Sequence, residues 1–207
     1  MSLNRRVELY ALACKHDLII LEDDPYFHLQ LDDQHGNADA PFCTAPPSLH
    51  SMDTEGRVMR FDSLSKLMSA GLRLGWVTGP KPLINQLELQ FQATMLHASG
   101  LSQMIAASLL HKWGPTGFDD HVTTTQGLYR ARRDAFLTSA DRHLTGLAEW
   151  TSPSSGMFVW FKVPSITDTQ ELMEKCRDAK VVFVPGAAFS PTEQPSQYVR
   201  ACFSLAS

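Results

Sequence analysis

The stretch "FDSLSKLMSAGLRLGW", residues 61–76, places one lysine directly after Ser-Leu-Ser and one arginine seven positions later. Apart from Asp62 and Ser69, its other residues are apolar or glycine. Lysine is almost never fully buried without a partner, so Lys66 belongs either to an ordinary surface turn or to a chemical site. An amine attacks a carbonyl only when neutral, which requires partial desolvation or a cationic neighbour. Arg73 supplies a cation, and Ser63 and Ser65 supply hydroxyls. Two hydroxyls and an arginine around one point also suit a phosphate group. Taken alone, the stretch reads more readily as a surface lysine beside a helix-capping serine.

Three further stretches carry candidate chemistry. In "EDDPYF" three acids repel one another unless a cation or solvent relieves them, and Asp23 and Tyr26 flank the turn-forming Asp24-Pro25 so that both can face one ligand. The plain alternative is a turn whose aspartates cap backbone amides. In "SQYVRACFS" Arg200 stands inside an apolar strand, where a guanidinium needs an anion to offset its desolvation. A bidentate carboxylate is its natural partner, and a structural salt bridge serves equally well. Val199 and Ala201 should face away from Arg200. In "SSGMFVWFKV" the glycine before the strand reads first as a turn residue.

The elements that must position these groups follow from periodicity. "NRRVELYALACKHD" carries Val7, Tyr10, Ala11 and Cys14 at the spacing of one helical face. It runs into "LIILEDDPYF", a buried strand with polar groups at its C-terminal end, the end where open α/β sheets bind ligands. Residues 31–56 read as a long loop. "RVMRFDSLSK" and "GLRLGWVTGP" follow as strands, and 81–95, 101–112 and 115–145 as helices. Beyond about 148, "GMFVWFKV", "VVFVPG" and "YVRACFSL" read as strands around a helix, "TDTQELMEKCRDA", capped by Thr167 or Asp168. The fold class is α/β, with a domain boundary inside the long helix: residues 1–125, then 126–207.

Composition excludes several classes. The 207 residues are 43% hydrophobic and 19% charged, a globular balance. The net charge of −4 gives no footprint for nucleic acid or an anionic membrane. Cys14, Cys43, Cys176 and Cys202 lie far apart, which favours a reduced, intracellular protein over a disulfide framework. No apolar run is long enough to span a membrane, and no metal-ligand pattern occurs.

In combination, the order acid-x-x-Tyr, Ser-x-Ser-Lys, Arg at plus seven and a late strand arginine resembles the fold-type I aminotransferases, which use pyridoxal 5′-phosphate (PLP). The resemblance is strongest to the kynurenine/α-aminoadipate and fungal aromatic amino acid subgroup, through "EDDPYF", "DSLSKLMSAGLRLGW", "GPKPLI", "LTGLAEW", "GMFVWFKV" and "YVRACFS". It implies a large PLP domain with a mainly parallel sheet over 1–125 and a small α/β domain over 126–207. It implies that Lys66 anchors PLP covalently and then moves the proton at the substrate Cα. Asp23 would pair with the pyridine nitrogen, keeping the ring an electron sink, and Tyr26 would bond the phenolic oxygen. Ser63, Ser65 and Arg73 would bind the phosphate, and Arg200 the substrate α-carboxylate.

The implied reaction transfers the amino group of an aromatic amino acid, kynurenine or 2-aminoadipate to 2-oxoglutarate, in a homodimer, in the cytoplasm rather than the mitochondrion. The family's glycine-rich phosphate loop, ring-stacking aromatic and Asn-Pro-x-Gly segment have no counterpart in these residues, nor has its closing helix. The chain therefore reads as a C-terminal portion, with weak or absent activity by itself. Two rivals remain. Ser63-Leu64-Ser65-Lys66 matches the Ser-x-x-Lys of acyl-transfer enzymes, though Lys-Thr-Gly and Ser-Asp-Asn are absent. A regulator-type domain that only binds PLP would need a DNA-binding module, and none is visible here.

Overall fold

Helix α1 (Leu3–Lys15) starts at Ser2, whose hydroxyl accepts the Arg5 amide. In the computed structural model, which describes residues 1–32 and 45–205, α1 buries Ala13 and half-buries Tyr10 and Cys14. Val7 and Ala11, expected on the same face, are instead exposed. Two polar anchors set this rotation: Arg6 donates to Glu22 at 3.3 Å, and the Tyr10 hydroxyl donates to Asp53 at 2.9 Å.

The chain divides into two compact units, Met1–Thr125 and Gln126–Ser207. The first holds a three-stranded sheet of β1 (Ile20–Asp23), β2 (Val58–Ser63) and β3 (Gly75–Thr78), in that order. β1 and β2 are parallel with Asp23 opposite Phe61, while β3 returns antiparallel with Gly75 opposite Ser63. Parallel pairing brings the C-terminal ends of β1 and β2 side by side, and both candidate motifs stand there.

Asp53 fixes where β2 begins. Its carboxylate accepts the amides of Glu55, Gly56, Arg57 and Val58. Burial raises its pKa, but the amide bonds from Val58 and Arg57 outweigh that and hold it below the ordinary carboxylate value. Gly56, at φ +71°, takes the left-handed position that this turn requires. Within the expected loop, His50–Met52 forms a single 3-10 turn; residues 33–44, with Cys43, lie outside the described residues.

Helix α2 (Lys81–Thr94) and the long helix α3 (Gly100–Leu144) follow. α3 breaks at Gly114 (φ 62°, ψ −173°) before Pro115, so the two helical runs expected from the sequence join end to end. Among the described residues no helix is long and apolar enough to cross a membrane.

The second unit holds an antiparallel sheet of β4 (Glu149–Trp150), β5 (Phe158–Lys162), β6 (Val184–Pro185) and β7 (Tyr198–Cys202), ordered β4-β5-β7-β6. Alternation buries Val159, Phe161, Val199 and Ala201 on one face. The run "VVFVPG", expected as a full strand, contributes only two residues. Asp168 is the N-cap expected near "TDTQELMEKCRDA", accepting the Gln170 amide at 3.1 Å. A 3-10 turn over Thr169–Leu172 precedes α4 (Met173–Asp178).

Candidate active site

Lys66 sits in a tight turn after β2, not at a helix start: the amides of Leu67, Met68 and Ser69 all point to the Leu64 carbonyl. Two leucines at i and i+3 explain why the turn stays put. Leu64 and Leu67 are each 7% exposed, and Leu64 packs with Leu74 and Ala106 in a core cluster. Between these pins, Ser65 and Lys66 are left half-buried. The Ser63 hydroxyl accepts the Ser65 amide at 3.1 Å and donates to the Leu74 carbonyl at 3.4 Å. No bond joins it to Lys66 among the described residues, so the geometry gives no support to a Ser-x-x-Lys nucleophile. His121 on α3, stacked on Trp113, reaches the Leu67 carbonyl through Nε2 at 2.8 Å. A carbonyl can only accept, so Nε2 carries the proton.

Arg73 closes the segment in the left-handed region (φ 53°, ψ 41°), an uncommon place for a non-glycine residue. Its Nη1 donates to the Ala70 carbonyl at 3.2 Å, and the side chain is otherwise exposed.

At the neighbouring strand end Asp23 is exposed and Tyr26 half-buried. Alternation turns Asp23 to one face of β1 and Glu22 to the other. Glu22 is buried and accepts the Leu49 and His50 amides at 2.8 and 3.0 Å, together with Arg6. Arg60 is 7% exposed and forks onto Asp62 at 2.8–3.1 Å. Burial opposes its charge, but the Asp62 bonds outweigh it and raise its pKa. Burial pushes the Asp24 carboxyl above its ordinary value, against the pull of Arg60 and Arg6. Asp24 therefore works with Arg60 rather than capping amides as the turn reading expected. A cavity of about 630 Å³ beside the end of β2 is lined by Asp24, His28, Asp62, Ser63 and Trp76.

The donor set suits PLP. Among the described residues, Lys66, Asp23 and Ser65 use none of their side-chain charges or hydroxyls in hydrogen bonds or ion pairs, whereas Glu22, Asp53, Arg60 and Asp62 nearby are all engaged. An uncommitted amine, carboxylate and hydroxyl meet the needs of an aldehyde carbon, a ring N–H and a phosphate oxygen.

Arg200 belongs to the second unit. Val199 and Ala201 are 5% and 1% exposed, so the guanidinium does face away from the core. No carboxylate pairs with it among the described residues. Instead its Cζ lies 4.2 Å from the Phe158 ring centre and 4.8 Å from that of Phe189, a cation–π contact on two rings. These rings, Arg60 and His121 escaped the sequence analysis. Only the Arg60–Asp62 pair was within reach, since i and i+2 residues share a strand face; Glu22 and Asp24 meet Arg60 through strand pairing, and Phe158, Phe189 and His121 arrive from other elements.

A family model described as Aminotransferase class I and II matches residues 1–207. A mitochondrial kynurenine/alpha-aminoadipate aminotransferase of Bos taurus is 42% identical over 209 residues, covering 100% of this chain and 47% of that protein. An aromatic amino acid aminotransferase of Dictyostelium discoideum is 36% identical, covering 98% of this chain and 42% of that protein. The crystal structure of an alpha-aminoadipate aminotransferase of Thermus thermophilus, complexed with N-(5'-phosphopyridoxyl)-L-leucine, matches with a TM-score of 0.87 at 26% identity, covering 98% of this chain and 49% of the other. The chain spans about half the length of the curated relatives it matches.

Proposed function

The chain belongs to the class I and II aminotransferases, and from that premise we propose that it holds PLP at Lys66 as part of an enzyme transferring an α-amino group to 2-oxoglutarate. The proposed donors are aromatic amino acids, kynurenine or 2-aminoadipate, in keeping with the names of its relatives. One observation carries this function: Lys66 stands half-buried between the pinned Leu64 and Leu67, next to Ser65 and past the C-terminal edge of a parallel strand pair, with no ion pair among the described residues.

Each side chain has a separate task. Lys66 would hold the cofactor through its amine, and the same amine would take and return the proton at the substrate Cα. Asp23 pairs with the ring N–H, and the Tyr26 hydroxyl bonds the ring oxygen. Ser63, Ser65 and Arg73 take the phosphate. The Ser63 hydroxyl can turn to it, because a charge-assisted bond outcompetes the 3.4 Å contact with Leu74. When bound, the cofactor supplies an electron sink for the pair left at Cα. Arg200, faced by two rings and by no carboxylate among the described residues, keeps its fork for the substrate α-carboxylate. Homodimeric assembly belongs to the same proposal.

Incubation of the chain with PLP, borohydride reduction and peptide mapping tests the anchor. The pyridoxyl group should appear on Lys66, and Lys66→Ala should remove it. Equal labelling of the Lys66→Ala variant, or label spread over exposed lysines such as Lys81, would overturn the assignment.

A further inference from the structure

Arg60 touches both segments that face the cofactor, and it does so from the far side of the sheet. Its Nε and Nη2 hold Asp62 at 2.8–3.1 Å. Its Nη1 stands 3.5 Å from Glu22 and 4.0 Å from Asp24. Its Cζ lies 4.5 Å from the Phe27 ring centre. Each of these partners is the chain neighbour of a residue assigned to the cofactor. Asp23 lies between Glu22 and Asp24, Tyr26 precedes Phe27, and Ser63 follows Asp62. Adjacent residues of a strand point to opposite faces, so one guanidinium behind the sheet fixes the backbone from which Asp23 and Ser63 project forward.

The fold does not need Arg60 in order to satisfy Glu22, which already has two backbone amides and Arg6. What Arg60 adds is the link between the Asp24–Phe27 turn and β2. Nη1 is buried and has no hydrogen-bond acceptor among the described residues. A small inward movement of the Asp24 turn would give it one, so the contact draws that turn toward the strand leading to Lys66.

We propose that Arg60 is a positioning residue that locks the Asp23–Tyr26 turn and the Ser63–Lys66 turn to one another. This rests on the assignment of those residues to the cofactor, and the test separates the two ideas. Amide hydrogen exchange is measured on the native chain and on Arg60→Lys and Arg60→Met. The link predicts faster exchange of the Asp24, Phe27, Leu29 and Leu64 amides together by about tenfold in Arg60→Lys, because a point charge cannot replace a fork. The amides of α2 and of β5 and β7 should stay unchanged. Arg60→Met should show a larger effect with the same pattern. Should Arg60→Met fail to fold, Arg60→Lys decides alone. Native exchange at the four amides, or acceleration spread evenly over the first unit, overturns the proposal. Borohydride trapping of PLP on Lys66, run on the same samples, should fall in parallel with the exchange effect. If the native chain is not trapped at Lys66, the cofactor assignment fails, while the exchange pattern still decides the link.

Discussion

At His28 two effects pull the imidazole in opposite directions: burial disfavours its charged form, and the Asp62 carboxylate favours it. Burial wins, placing the pKa below the ordinary 6.5. The ring meets Phe27 and Phe118 edge-on, at 5.2 and 5.5 Å between centres. The unfolded chain thus binds a proton at a higher pH than the folded one. Stability from neutral His28 is complete above pH 6.5 and is lost as pH falls through the folded value. Asp24 has the opposite sign: its raised pKa gives a contribution present below 3.8 and lost as pH rises through its folded value. His28→Gln should therefore flatten the fall in Tm between about pH 7 and about pH 5; thermal circular dichroism giving the native slope would refute this. Order and spacing singled out Lys66, its two serines and the strand arginine. They missed Arg60, because Glu22 and Asp24 come to it only through the parallel pairing of β1 with β2. The rings around Arg200 show a third way of housing a strand arginine, beside the two that the sequence left open.

Elements register the same logic through backbone spacing. Gly75 pairs with Ser63 across β2 and β3, and a Cβ there would stand 2.8 Å from the Asp62 carbonyl oxygen. Neither backbone can yield without moving the strand that delivers Lys66. Gly75→Ala should cost about 1–3 kcal/mol, the usual range for overpacking. Gly127 on α3 provides the contrast, because nothing lies within 4 Å of its added Cβ; Gly127→Ala should stabilise by about 0.5–1 kcal/mol. Urea unfolding of the pair checks both signs, and equal shifts would contradict the geometry. Sequence pattern located α2, β1, β2, β5 and β7, and in β5 and β7 the buried residues are apolar ones. It missed β4, two residues long, and misassigned the face of α1, because Arg6 and Tyr10 orient that helix through polar bonds that no hydrophobic period records. The helix break at Gly114-Pro115 was signalled by the residues themselves.

For the molecule as a whole, the open face of the first sheet sets what the 207-residue chain can do alone. Leu21 is 66% exposed, and Asp23 shares its face in contact with solvent. An ion pair at 4 Å is worth about 1 kcal/mol in water and about 4 kcal/mol at an effective dielectric of 20. Asp23 in this setting would hold a ring N–H only with the weaker, water-screened attraction. The relatives that the chain matches are about twice as long. The chain by itself should therefore accept PLP on Lys66 yet transaminate slowly. Glutamate formation from 2-oxoglutarate, with kynurenine or phenylalanine as donor, measures this directly. A turnover in the ordinary enzymatic range of about 1–1,000 per second would show that the solvent-facing carboxylate suffices. Slow turnover that rises when the remaining length of a relative is supplied in trans would agree with this expectation.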